Sequence, residues 1–330
     1  ERNIEARLTA IASAQTEEIK GELEHALTLA TSLANTNAMI GQEDENGRPL
    51  MTMSRRELSL LVRQTVVDNT ELLDAFIGWE PNAFGSDARY TGREDQGYGP
   101  DGRFMPWWYR TESGDIEVLA LGSDMENQER DADGIRRGEY YLCTKETKRS
   151  CVVDPHLYDY NGETLLVTSF NAPILVDNEF RGSAGVDLSV EFIQSLLEEA
   201  NASLYDGAGE IALIASQGAL AAYTSSPDLL GKHVENVLDA DLQAGIAQAQ
   251  QGEKVRRLDT EQGMTELYWP FSIDESGNPW VLMIRLPESA VLAGLNNLQE
   301  QMQSQRETST LGMIGMGLVI AFLGLIASWL

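Results

Sequence analysis

With 330 residues the chain has room for two ordinary domains or one elongated body of two modules. Its 42% hydrophobic and 23% charged residues predict folded cores and exclude general disorder. A formal charge of -28 repels nucleic-acid phosphates and anionic lipid headgroups, so DNA, RNA and peripheral membrane surfaces are excluded as partners.

Residues 1–45 open as a helix. Ile4, Leu8, Ile11, Ile19, Leu23, Leu27, Ala30 and Leu33 recur at helical steps along one face of roughly 35 residues, longer than most globular helices. Such a stripe fits a stalk packed on a second subunit, and it equally fits a helix covering its own domain.

Residues 46–200 form the next unit. Ser54-Arg55-Arg56-Glu57 is a capping box that starts a helix carrying Leu58, Leu61, Val62 and Val66. Leu72–Trp79 follows, then the turn Glu80-Pro81-Asn82. Short β-prone runs come next: Ile116–Leu121, Tyr140–Thr144, Cys151–Val153, Thr164–Ser169, Ala172–Val176 and Ser183–Leu188, with Val190–Glu199 returning as a helix. Glu129, Asp131, Asp133 and Gly134 imitate the start of a calcium loop. Its twelfth position is Tyr140 instead of glutamate, so the segment reads as a solvated acidic turn. Cys143 and Cys151 are the only cysteines. Their even spacing places them on one face of a hairpin turning near Thr147, at disulfide distance. In an oxidising compartment the bond adds about 2.5 kcal/mol by loop closure.

A smaller α+β unit spans residues 201–286. Glu210–Ala215 and Ala219–Tyr223 read as a hairpin, Pro227–Gln250 as helix, and Lys254–Asp259, Glu266–Ser272 and Pro279–Arg285 as strands. Residues 287–310 resume helical periodicity at Val291, Leu295, Leu298 and Met302. Residues 311–330, LGMIGMGLVIAFLGLIASWL, are twenty apolar or small residues, enough for a hydrocarbon core of roughly 30 Å, with Trp329 suited to the interface. The polar start ERNIEARL carries no export signal, so a preceding membrane span is expected. The expected fold class is α+β: a long N-terminal stalk helix carrying two PAS-like antiparallel-sheet modules, membrane-distal and membrane-proximal, then a transmembrane helix.

Enzymatic signatures are absent. His25, His156 and His233 are far apart, and there is no Walker loop, Gly-x-Ser-x-Gly or His-Glu-x-x-His, so neither a metal nor a cofactor is expected.

Four motifs stand in order along the chain: Gly78-Trp79-Glu80-Pro81-Asn82-Ala83-Phe84, Asp101-Gly102-Arg103-Phe104-Met105-Pro106-Trp107-Trp108, Gly138-Glu139-Tyr140-Tyr141-Leu142 and Gly185-Val186-Asp187-Leu188. Together they resemble the double Cache sensor domains of bacterial methyl-accepting chemotaxis proteins, from about residue 30 to 290. The resemblance implies a distal module that binds a small molecule and a proximal module that relays to the membrane. With the long helical stripe and the apolar C-terminal run, the expectation is a homodimer anchored in the bacterial inner membrane by the C-terminal helix, with residues 1–310 in the periplasm. Such sensors also precede histidine kinases and diguanylate cyclases, and a module contacting a periplasmic binding protein is a third possibility.

The resemblance maps a ligand pocket onto Trp107 or Trp108, His156, Tyr158 and Asp187. Only one of the two adjacent tryptophans can enter it, because neighbours on a strand face opposite ways. Asp187 lies in an apolar strand and needs a partner, and a carboxylate among aromatic rings is complementary to a cation. Amino-acid-sensing relatives carry an arginine where this chain has Met105. Arg103 is the nearest substitute, equally well read as a ligand-carboxylate contact or as a structural ion-pair residue. Where some relatives carry an aspartate, this chain has Tyr158, with Asp159 expected to point elsewhere. The expected ligand is an amine, a quaternary amine or an amino acid.

Overall fold

The computed structural model describes residues 2–204, 207–275 and 277–293. Helix α1 (Arg2–Ala38) forms the spine. Its stripe residues Leu8, Ile19, Leu23, Ala30 and Leu33 are buried within the chain itself, against sheets of both modules. These residues therefore cannot also face a second subunit, and the stalk-interface expectation for this stripe is corrected. Two indole N–H groups pin the helix: Trp79 donates to Asn37 Oδ1 at 3.0 Å, and Trp269 donates to Ser13 Oγ at 3.2 Å.

The first module begins with α2 (Arg55–Asp68), whose N-terminus has the reciprocal Ser54–Glu57 capping box. Strands β1 (Asp74–Trp79), β2 (Pro106–Arg110) and β3 (Ile116–Ala120) follow, then α3 (Glu139–Thr147). The sheet is completed by β4 (Cys151–Tyr160), β5 (Glu163–Val176) and β6 (Glu179–Ser189). It is antiparallel, in the order β3-β2-β1-β6-β5-β4. Helix α4 (Val190–Ser203) leads to the second module.

That module contains the hairpin β7 (Glu210–Ile214) and β8 (Leu220–Tyr223), the short helices α5 (Val234–Val237) and α6 (Ala240–Ala249), and strands β9 (Val255–Asp259), β10 (Met264–Phe271) and β11 (Trp280–Pro287). Its five strands run antiparallel in the order β8-β7-β11-β10-β9. The ring of Tyr268 lies so close to Gly245 that a Cβ there would meet it at 2.4 Å, so this module's interior is filled by its own side chains.

Three sequence-based expectations change. Tyr140–Thr144 is not a strand but the middle of α3, because Tyr140, Tyr141 and Thr144 bury one face of a helix. Cys143 therefore reaches Cys151 from a helix to the start of β4, and the disulfide closes this corner instead of a hairpin. Pro227–Gln250 is not one helix; a 3-10 turn, α5 and α6 divide it. No helix among the described residues is long and apolar enough to cross a membrane. The proposed membrane span at 311–330, and most of the helix proposed for 287–310, lie outside the described residues.

The lower half of β4 joins the modules. Val152 N donates to Asp274 Oδ2 at 2.6 Å, while the buried Asp154 accepts from Ser216 Oγ and Gln217 N, both at 2.8 Å. Asp154→Ala strips both donors of their acceptor and is expected to lower stability by about 1–3 kcal/mol. A urea titration followed by tryptophan fluorescence reads that loss, and an unchanged midpoint contradicts it.

Candidate functional site

The concave face of the distal sheet, with α3 and the segment after β3 above it, encloses a cavity of about 530 Å³. Phe76 of β1, Trp107 of β2, Ser169 of β5 and Asp187 of β6 form its floor, with Tyr140, His156 and Tyr158 as walls. Gly185 pairs with Phe76 across the β1–β6 ladder, and a Cβ at Gly185 would meet the Phe76 ring at 2.3 Å. The missing side chain lets that ring lie down on the sheet beside the site.

The strand pleat sorts the tryptophans. Trp107 faces the cavity and packs on Tyr160 with ring centroids 4.6 Å apart. Trp108 faces the other way and donates from Nε1 to Ser59 Oγ on α2 at 2.9 Å. Arg103 also lies outside the cavity lining. Its guanidinium donates to Trp79 O at 2.6 Å, Glu126 Oε2 at 3.1 Å and Tyr141 Oη at 2.9 Å, all groups of the supporting shell. Of the two readings of Arg103, the geometry matches the structural one. Arg103→Ala is expected to cost about 2–4 kcal/mol of stability while leaving ligand affinity within about threefold. Calorimetric titration beside a melting curve separates the two effects, and a selective loss of affinity contradicts the assignment.

His156 is buried, and burial lowers its pKa against the opposing pull of Asp131 and Asp133. Its Nε2 lies 3.2 Å from Asp131 Oδ2. The acidic turn expected to face only solvent thus reaches the cavity, where Asp124, Asp131 and Arg137 contribute to the lining. Asp159 lines the cavity as well, although its Oδ1 is engaged by Gly162 N at 2.9 Å.

Asp187 is the deepest charged group of the lining. It is 5% exposed, and its Oδ1 has no hydrogen-bond partner among the described residues. Burial, and next the charge of Asp74, push its pKa well above the ordinary carboxylate range. Asp74 was not foreseen. It occupies the position opposite Asp187 on β1, is fully buried, and receives the Tyr160 hydroxyl at 2.6 Å. Burial raises Asp74 to about 6, against the pull of the Tyr160 hydroxyl and the Trp107 indole. The signal for it was present: Asp-Ala-Phe-Ile-Gly-Trp places a lone carboxylate in an apolar strand, the same pattern that singled out Asp187. Tyr158 Oη is another buried polar atom without a partner among the described residues. Together these groups offer acceptors and aromatic faces to a small cationic guest.

Two antiparallel sheets on one long helix, with this cavity in the first, have the architecture of a double Cache sensor region, and the sequence is similar to that of a methyl-accepting chemotaxis protein. Methyl-accepting chemotaxis protein TlpQ of Pseudomonas aeruginosa is 30% identical over 279 residues, covering 84% of this chain. The chain spans 39% of that receptor's length. No protein-family model matches the sequence. Among solved structures, the extracellular domain of the putative histidine kinase mmHK1S-Z3 superposes with a TM-score of 0.69 at 22% identity, covering 90% of this chain and 99% of that one. The ligand-binding domain of the Pseudomonas fluorescens chemoreceptor CtaA, solved with L-isoleucine, gives 0.53 at 11% identity, covering 88% of this chain and 95% of that one. At these identities the structural likenesses speak for the fold.

Proposed function

We propose that the chain is the extracytoplasmic ligand-sensing region of a bacterial transmembrane chemoreceptor, and that its distal module binds a small organic amine. The observation that carries this reading is Asp187: a buried carboxylate with an unpartnered oxygen, inside a cavity walled by Trp107, Tyr140 and Tyr158. An ammonium group supplies the missing hydrogen bonds and compensates the charge, and the ring faces hold its alkyl body. His156, held neutral by burial, adds a polar contact at the wall.

The lining contains four aspartates, Asp124, Asp131, Asp159 and Asp187, against the single arginine Arg137. That excess favours a plain amine over a zwitterionic amino acid. Any ligand carboxylate is met by Arg137 at the rim, in the role for which Arg103 is too far withdrawn. In this reading the receptor is a homodimer in the inner membrane, held by the apolar segment 311–330, and ligand occupancy biases two packings of its modules. A histidine kinase or diguanylate cyclase is the alternative output, since the same sensor fold also occurs on a histidine kinase.

The test is a binding comparison at pH 7.5 among isosteres: n-butylammonium, n-butanol and butyrate. The ammonium is expected to bind and raise the melting temperature, and the other two to do neither. Equal binding of the alcohol or the acid contradicts the reading.

A further inference from the structure

Asp74 and Asp187 are direct cross-strand partners on β1 and β6, so their side chains leave the same face of the sheet. Both are buried, and the Oδ1 atom of each has no hydrogen-bond partner among the described residues. Their Oδ2 atoms converge on one hydroxyl, that of Tyr160, at 2.6 Å from Asp74 and 3.4 Å from Asp187. One hydroxyl has one proton and satisfies one acceptor. The groups packed directly around the pair are Tyr109 of β2, Tyr140 of α3, Tyr158 and Tyr160 of β4, and Ser169 of β5, all neutral, while His156, Asp124, Asp131, Asp159 and Arg137 line the same cavity beyond them. Asp124, Glu139 and Arg103 act on those rings from farther out, and Arg103 is itself tied to Glu126. Two adjacent carboxylates in such surroundings cannot both be ionised while the site is empty.

We propose that Asp74 and Asp187 share one proton in the empty site and exchange it for the ligand's ammonium group, so that amine binding releases a proton and weakens in acid. This rests on the amine reading of the cavity. The charges balance: the singly protonated pair carries one negative charge, and the doubly ionised pair plus one ammonium carries the same. The proton passes to bulk buffer, and the net buried charge does not change. That constancy removes the main electrostatic penalty of seating an ion at the buried end of the cavity. Asp187 meets the ligand; Asp74 is a positioning residue that holds the proton in place. The upward displacement of both carboxyls by burial agrees with this arrangement.

The experiment is isothermal titration of the full 330-residue chain in detergent with n-butylammonium, at pH 6.5, in two buffers of unequal ionisation enthalpy. The heats are expected to differ by the equivalent of about one proton released per site. The association constant is expected to rise at least tenfold from pH 5 to pH 6, where the empty pair also takes up its second proton. Asp74→Asn is expected to keep binding, to release clearly less than the parent's one proton, and to give an affinity that varies less with pH between 6 and 8. Buffer-independent heats with the parent chain overturn the proposal, as does undiminished proton release from Asp74→Asn. The amine reading survives either result if Asp187→Asn loses affinity. If Asp187→Asn binds as the parent does, or the parent fails to bind at millimolar ligand, the amine reading itself falls.

Discussion

Asp187→Asn is expected to weaken amine binding by about 2–4 kcal/mol, roughly 30- to 1000-fold. Asparagine keeps the shape of the side chain, so the cavity stays intact and only the charge is lost. The ammonium then enters a cavity that no longer compensates it, and the scale is that of breaking a buried charge-assisted hydrogen bond. The effect on the empty domain has the opposite sign. A carboxyl raised on folding contributes stability at low pH and loses it as pH rises through the folded value, which is about 6 for Asp74 and well above the ordinary carboxylate range for Asp187. Asp187→Asn removes one acid of the pair, so the substituted chain should melt no lower than the parent at pH 8, with any advantage shrinking toward pH 5. Titration calorimetry and melting curves at the two pH values check both halves. A lower affinity accompanied by a collapsed melting temperature would point to a folding defect.

Arg55→Ala is expected to be the most damaging single substitution for the distal module, at about 3–5 kcal/mol. Arg55 follows the capping serine and is 3% exposed, buried beneath the loop before β2. Its guanidinium donates to Asp87 Oδ1 at 2.6 Å, Phe84 O at 2.7 Å and Gly102 O at 3.0 Å, and lies 4.3 Å from the centroid of the Tyr90 ring. Removing it strands a buried carboxylate and several carbonyls together. Gly102 has φ +83, and a Cβ there would meet Asp87 O at 2.0 Å, so the loop cannot relax toward the vacancy at that point. Arg55→Lys should recover little, because an ammonium cannot span the same fork of acceptors. A shift in the urea midpoint of the distal module measures the loss, and a shift below about 1 kcal/mol contradicts it.

Much of the architecture was legible because its signals are local. The stripe from Leu8 to Leu33, the Ser54–Glu57 cap and the β7–β8 hairpin each declare themselves within a few turns or strands. What could not be read depends on contacts far apart in sequence. Tyr140–Thr144 has β-prone residues, yet Tyr141 meets Phe180 and Thr144 Oγ1 meets Ser183 Oγ at 3.0 Å, and these partners favour the helix. Thr164–Ser169 and Ala172–Val176 read as two strands across Asn171, but pairing with β4 and β6 runs them into one. In the site, strand alternation was enough to say that only one of Trp107 and Trp108 enters. It could not choose between them, because the choice depends on which sheet face α2 covers. The partnership of Asp74 with Asp187 joins residues 113 positions apart and follows only from the β1–β6 register.

The most direct test of the account is a crystal structure of the chain with its highest-affinity amine bound. The ligand nitrogen is expected within 3.2 Å of an Asp187 carboxylate oxygen, with the alkyl body between Trp107 and Tyr158. A ligand seated in the proximal module, or one whose nitrogen turns away from Asp187 toward the rim, would contradict it.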